Sequence, residues 1–310
     1  MDVTPGPRDP VSDARLECVP NVSEGRDGGV LRRLADAVDH AGARLVDVHS
    51  DVDHHRSVFT FLGAPGAVER AALALGRLAV ELIDLRRHAG VHPRIGAVDV
   101  MPFVPLDGLT MAEAVTIAHR AGRAFASETG VPVFFYEEAA LLPGRRDLPE
   151  LRAGGFERLA ERLASPLGRP DAGPAVPHPS AGATVVGARR PLIALNAMLD
   201  TDDLAGARAI AAAIRERSAG GLPSVRALGV MLPSRGVAQV SMNLLDYRRT
   251  SPRTVMERLD LETARRGLRI AAYELVGCAP SDGFDETART RTRGLRPAQL
   301  LDPRLFASTP

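Results

Sequence analysis

HAGVHPRIGAVDVMPFVP, residues 88–105, is where a helical pattern gives way to a strand. Just before it, residues 66–87 are rich in Ala, Leu and Arg at helical spacing, and Gly90 supplies a stop after the last turn. Just after Pro93, residues 95–104 return to strand character. Working back towards the N-terminus, residues 16–19 form a short apolar run punctuated by Pro20, and residues 31–38 carry helical spacing. Two β-friendly segments follow at 44–48 and 57–62, and the polar stretch HSDVDHHR between them reads as a long connection carrying functional groups. The sum is β-α-β-β-α-β, the split βαβ pattern of a ferredoxin-like sheet with helices on one face. A further helix over 111–128 and a strand over 133–136 extend it.

Residues 163–187 are dense in Pro and Gly, too dense for a helix or a central strand, and read as a linker or binding segment. Beyond them the pattern recurs: strand 192–198, helix 205–217, strands 225–232 and 238–244, helix 254–266, strand 268–276. The expected fold class is therefore α+β, with two ferredoxin-like subdomains over 14–189 and 190–300. Residues 1–13 read as a disordered lead and 301–310 as a loosely held tail.

The chain has 310 residues, 45% of them hydrophobic, which is more than one average domain needs for its core. Its formal net charge is +1 with both signs interspersed, so neither a nucleic acid nor an anionic membrane surface is an expected partner. No apolar run is long enough to cross a bilayer, and the N-terminus lacks the apolar core of a secretory signal. Cys18 and Cys278 sit in apolar runs, as buried thiols do in a reducing cytoplasm. All 39 basic residues are arginine. Without a lysine there is no P-loop ATPase, no pyridoxal Schiff base and no class I aldolase chemistry. GxGxxG, GxSxG and CxxC are also missing, which removes the common dinucleotide, serine-hydrolase and zinc-ribbon signatures.

Three segments can carry chemistry. His92 precedes Pro93, which pushes its backbone towards an extended conformation and presents the imidazole on a loop between helix and strand. An unperturbed pKa of about 6.5 lets such a group take and return a proton near neutrality, although a histidine that only satisfies loop hydrogen bonds fits the spacing equally well. Asp47, His49, Asp51, Asp53, His54, His55 and Arg56 form a polar cluster that suits substrate orientation better than metal binding, since no clean facial triad is spelled out. Asn21 and Ser23 could cap the helix starting near Asp27, or offer its free N–H groups to a carboxylate.

CVPNVSEGR, DVDHHRSVFTFLG, HAGVHPRIGAVDVMPFVP, GATVVGARRPLIALN and AQVSMNLLDY, taken in this order from Leu16 to Pro280, resemble the formiminotransferase family, which acts on N-formimino-L-glutamate. The resemblance implies two ferredoxin-like subdomains with a ligand tunnel between them, and His92 as the catalytic general acid/base. It implies transfer of a formimino group to tetrahydrofolate as co-substrate, with no metal, in a cytoplasmic homodimer. The family's folate-contacting loop falls on Gly173, Pro174, Ala175, Val176, Pro177, His178, Pro179, Ser180, Ala181 and Gly182. Asp47 and Asp99 are the candidate carboxylates for the amidinium and the imidazole, and Arg56 and Arg94 suit the carboxylates of glutamate through paired hydrogen bonds. His49 stands where the family has an acidic residue, and Ala181 where it has an aromatic. Bifunctional members continue into a cyclodeaminase domain; the chain ends at Pro310, so no cyclodeaminase activity is expected. Three alternatives remain open: a formyl transferase or folate-cyclising enzyme on the same scaffold, a non-catalytic folate- or amino-acid-binding protein, and a metal-dependent hydrolase using His49, His54 and His55.

Overall fold

The computed structural model describes residues 15–165 and 168–306, so the lead at 1–13 and the last four residues of the tail lie outside the described residues. The first half is built on a seven-stranded sheet. Strands β1 (Leu16–Cys18) and β2 (Asn21–Val22) are two pieces of one line, interrupted at Val19 and Pro20 because proline has no N–H to give the ladder. Helix α1 (Gly28–His40) follows, with Asp27 rather than Asn21 or Ser23 at its N-cap, accepting from the N–H groups of Gly29 and Val30. Next come β3 (Arg44–Asp51) and β4 (Arg56–Gly63). They form a hairpin whose turn is only residues 52–55, with His55 at a positive φ of 48°. HSDVDHHR is thus half strand and half tight turn, not a long connection, and its polar side chains project at fixed positions from a sheet edge.

Helix α2 (Pro65–Leu82) leads into β5 (Val98–Pro105), which is buried along its whole length. Helix α3 (Met111–Thr129) opens with a reciprocal cap between Thr110 and Glu113 and ends at Gly130 in the left-handed conformation. Strand β6 (Val133–Glu137) and two short helices, α4 (Leu148–Leu151) and α5 (Leu159–Leu163), precede β7 (Thr184–Ala188). Strand β7 lies inside the sheet, parallel to both β5 and β6. Reading 163–187 as one linker therefore misses its last residues. The Pro/Gly-dense part stops at Gly182, and TVVGA beyond it has the β-branched composition of a strand buried on both sides.

The second half contains β8 (Ile193–Leu199), α6 (Leu204–Ile214), β9 (Val225–Leu232), β10 (Val237–Leu244), α7 (Pro252–Ala264) and β11 (Ile270–Val276). Its four strands lie in the order β11-β8-β10-β9, all antiparallel. Ala207, Ile210 and Ile214 of α6 and Val255, Met256 and Leu259 of α7 bury their stripe against this sheet in one cluster. Strand β12 (Ala279–Pro280), helix α8 (Glu286–Arg291) and β13 (Leu300–Leu301) complete it. The described end of the chain is not loose: Phe306 and Leu301 pack with Val104 and Leu106 of the first half, because apolar side chains there find an uncovered stretch of the first sheet. Among the described residues no helix is long and apolar enough to cross a membrane.

Helices α1, α2 and α3 cover one face of the first sheet, and α2 approaches α3 at Gly76, where a Cβ would lie 2.8 Å from the Phe125 ring. Two effects oppose each other there. Alanine gains up to about 1 kcal/mol of helix propensity over glycine, whereas overpacking a filled core costs about 1–3 kcal/mol. Since Phe125 is fully buried and cannot swing away, Gly76→Ala should be destabilised by about 1 kcal/mol, read as a lower urea midpoint with unchanged slope. A midpoint above wild type would show that the helices have room to part.

Candidate active site

The loop before β5 is held from several directions at once. Pro93 fixes the chain after His92, and backbone N–H groups of Val91, Ala97 and Ala183 donate to the carbonyls of Asp53, Ala181 and Ile95, at 3.0, 2.9 and 2.9 Å. Two glycines make that closeness possible. A Cβ at Gly90 would lie 2.3 Å from the His54 carbonyl oxygen, and one at Gly96 would lie 2.0 Å from that of Ala183. His92 is therefore presented by a loop whose backbone has little freedom.

Beneath the loop lies Asp99, fully buried on β5. Its Oδ1 accepts the Ile95 N–H at 2.8 Å, and its Oδ2 accepts from Arg56 Nη1 at 2.7 Å and pairs with Arg152 Nη2 at 2.6 Å. Burial alone would raise its pKa, but the two guanidiniums and the backbone N–H outweigh it and hold the carboxyl well below the usual range. Burial also pulls Arg56 down to about 10, still fully protonated at neutral pH. Arg56 donates through Nε to Asn21 Oδ1 at 3.0 Å, so one side chain ties β2, β4 and β5 together.

His92 Nδ1 lies 2.8 Å from the Pro93 carbonyl. A carbonyl only accepts, so Nδ1 carries the hydrogen and Nε2 keeps the lone pair. By surface the residue is half-buried, but its ring is closely surrounded, and burial is the largest reason its pKa falls well below 6.5. Arg56, Arg152 and His54 push it further down, against a smaller pull from Asp99. The His54 ring is 5.5 Å away, centroid to centroid, and its Nε2 donates to Gln239 Oε1 of the second half at 2.9 Å.

A cavity of about 160 Å³ opens beside these groups, with walls from both sheets. The first half contributes Glu17, Asn21, His49, Asp51, His54, Arg56, His92 and Arg152, and the second Asn196, Arg226, Ser241 and Asn243. Pairing explains the second set. Ser241 faces Asn196, and Asn243 faces Arg226, across antiparallel neighbours, so all four point to one side of the sheet.

Not every residue singled out in the sequence reaches this cavity. His92, Asn21 and Arg56 line it. Asp99 lies under the wall rather than in it. Asp47 is buried and paired with Arg296, with Oδ2 unpartnered among the described residues. Ser23 donates to the Gly96 carbonyl at 2.7 Å. Arg94 is committed to Glu157 at 2.7 Å and to His88 Nδ1 at 2.9 Å. The 173–182 loop supports the His92 loop from behind, through Ser180 O to the Leu85 N–H and Ala181 O to the Ala97 N–H, while Val176 points outward. His49, His54 and His55 do not converge: His49 lines the cavity, His54 holds Gln239, and His55 stacks on His88 at 4.2 Å.

Several residues at the site, most of them in its wall, were not picked out in the sequence. Gln239, Ser241 and Asn243 alternate with apolar residues along β10, a period-two signal that marks one face of the strand as polar. Glu17, alone among apolar neighbours in LECVP, was a similar hint. Arg152 and Arg189 gave none, since their place depends on long-range packing.

Comparison with known proteins accords with this architecture. Residues 15–189 match the formiminotransferase domain, N-terminal subdomain, and residues 194–292 match the formiminotransferase domain. The chain is similar to glutamate formimidoyltransferase of Streptococcus pyogenes serotype M1, at 41% identity covering 88% of this chain and 91% of that one. The protein of the same name from Thermoplasma acidophilum is 40% identical over equal shares. The formimidoyltransferase-cyclodeaminase of Sus scrofa is 44% identical over 86% of this chain but only 50% of its own length. The relatives define an enzyme of the transferase class, here on a fold that mixes helices with several sheets. More particularly, the chain belongs to the formiminotransferase family.

Two outcomes test this electrostatic frame. Asp99→Asn leaves Arg56 and Arg152 buried without their counter-charge, and should cost about 3–5 kcal/mol in urea unfolding; a loss under about 1 kcal/mol would mean that water reaches these groups. His88 is neutral, accepting from Arg94 and donating to the His55 carbonyl at 2.7 Å, and burial pushes it down to about 4. Its folded pKa is below the unfolded one, so its stabilisation is complete above about pH 6.5 and is lost as pH falls towards 4. Urea midpoints should decline over that window, and His88→Gln should flatten the decline.

Proposed function

We propose that the protein transfers a formimino group from N-formimino-L-glutamate to tetrahydrofolate, giving 5-formiminotetrahydrofolate and glutamate, with His92 as the general acid/base. Family membership supports the substrates. The single observation that carries the role of His92 is its hydrogen bond to the Pro93 carbonyl, which leaves Nε2 unprotonated at the cavity wall.

The chemistry needs such a group. Attack of the folate N5 on the amidine carbon forms a C–N bond and leaves the new nitrogen positively charged. Nε2 takes that proton. The imidazolium so formed is strongly acidic, because burial and then the nearby Arg56 and Arg152 disfavour its charge, and it returns the proton to the glutamate nitrogen as that C–N bond breaks. Neither proton nor charge is left over. Arg56, placed on the wall and anchored by Asp99, is our choice to meet a glutamate carboxylate, with Asn21 beside it. Asp99 acts through Arg56 in this reading; Asp47, Ser23 and Arg94, with their existing partners, hold the frame.

We read the two halves as ferredoxin-like subdomains, 14–189 and 190–300, with the cavity as part of a tunnel between them. The orders β3-β4-β1/β2-β5 and β9-β10-β8-β11, the same sequence of second, third, first and fourth strands, support this. Folate would reach the cavity past the 173–182 loop, whose outward edge carries Val176 and whose inner edge braces the His92 loop. Cys18 and Cys278, both free thiols, suit a reducing cytoplasm.

His92→Ala should lower kcat by about 10²–10⁴-fold with tetrahydrofolate binding nearly unchanged; undiminished turnover would refute the assignment. Because the base form prevails down to well below pH 6.5, the acid limb of kcat/KM should also lie well below that value. A limb centred at 6.5 would mean that the titrating base is an unperturbed group elsewhere.

A further inference from the structure

Glu17 sits on β1 between two strands, with Leu62 opposite it on β4 and Val104 opposite it on β5. It is only 5% exposed and lines the cavity. Among the described residues no side chain or backbone group donates a hydrogen bond to its carboxylate, and no ion pair holds it. Asp99, equally deep, has three donors. A buried carboxyl group without donors is costly, and such groups in native proteins call for an explanation. Burial pushes Glu17 up to about 7, with Arg189 pulling the other way. Arg189 answers this charge only through space, without a hydrogen bond or ion pair, so the donors for the carboxylate come from what enters the cavity.

The surroundings limit what that is. Glu17 and Asn21 are four residues apart on one strand line, roughly 13 Å, with the Arg56 and His92 end of the cavity next to Asn21. The wall along this line is apolar, with Val19 and Pro102 between the two residues and Val58 and Val100 flanking Asn21. A polar end, a flat apolar strip and a second polar end fit a fused ring that reacts at one edge and hydrogen-bonds at the opposite one. The amidine of the donor does not fit Glu17, because its carbon has to be within reach of His92. The 2-amino-4-oxopyrimidine edge of a tetrahydropterin does: its 2-amino group and N3–H are two adjacent donors, matched to the two oxygens of a carboxylate.

We propose that Glu17 is the carboxylate that receives the 2-amino and N3–H donors of the pterin ring, and so sets which way the ring lies with respect to His92. The proposal rests on the folate reading above. Glu17 is then a specificity-determining residue, remote from the reacting atoms, and the ring lies along the valine strip with N5 at the histidine end.

The test is binding of tetrahydrofolate and of its 2-desamino analogue, titrated anaerobically into the wild-type chain and into Glu17→Gln, with the KM for formiminoglutamate measured on both. Removing an unpaired buried charge does not endanger folding, so the urea midpoint of the variant should equal or exceed that of wild type. Wild type should bind tetrahydrofolate roughly 10–100-fold more tightly than the analogue. Glu17→Gln should lose most of that discrimination through weaker tetrahydrofolate binding, with the KM for formiminoglutamate within about two-fold of wild type. Equal tetrahydrofolate affinity in variant and wild type would overturn the proposal, as would a loss confined to formiminoglutamate. Wild type that binds no tetrahydrofolate at all would defeat the folate reading itself, a result visible before the variant is made.

Discussion

Asp99 is the point on which the first half turns. Its carboxylate is taken out of water entirely, which is tolerable only because a backbone N–H and two guanidiniums surround it. Each donor comes from a different part of the chain: Ile95 from the loop carrying His92, Arg56 from β4, Arg152 from just after α4. The same cluster that organises these elements also crowds positive charge around an imidazole. Burial first, and these charges after it, keep His92 neutral, and the environment that makes it a weak base makes its conjugate acid a strong one. Structure and reactivity here share the Asp99 cluster, which adds its positive charge to the effect of burial on the imidazole.

The two halves meet through the tip of the β3–β4 hairpin. Asp53 accepts from the Ser234 N–H at 2.9 Å and its hydroxyl at 2.6 Å, Asp51 pairs with Arg235 at 3.3 Å, and His54 holds Gln239. The Asp53 carbonyl at the same time accepts the Val91 N–H, one residue before His92. A contact between halves is thus mechanically continuous with the candidate catalytic loop. From the other side, Phe306 and Leu301 close over the cavity end that contains Glu17 and Cys278. The cavity exists because both halves and the chain end contribute walls.

Much of the fold was legible. The alternation of strands and helices, twice over, followed from periodicity, and the elements lie close to where spacing placed them. The exceptions have physical reasons. Strand β7 was hidden by the Pro/Gly-dense stretch just before it, and the β3–β4 turn by polar residues that resemble a loop. Polar side chains lie in these strands because one face of the sheet meets a cavity instead of a core. The tail looked loose because its two buried side chains have their partners some two hundred residues away.

By itself the sequence determined which segments are helix or strand, since that depends on spacing and local propensity, and it marked His92 through the proline that follows it. It also bounded the chemistry, by having no lysine and by carrying blocks that resemble one family. Only the tertiary structure decided that Arg56 lines the cavity while Arg94 is engaged elsewhere, that Asp99 supports rather than faces the cavity, and that Glu17 is a cavity residue without a partner. These outcomes depend on which side chains converge from distant strands. Burial and electrostatic environment are properties of that convergence, and no local pattern encodes them.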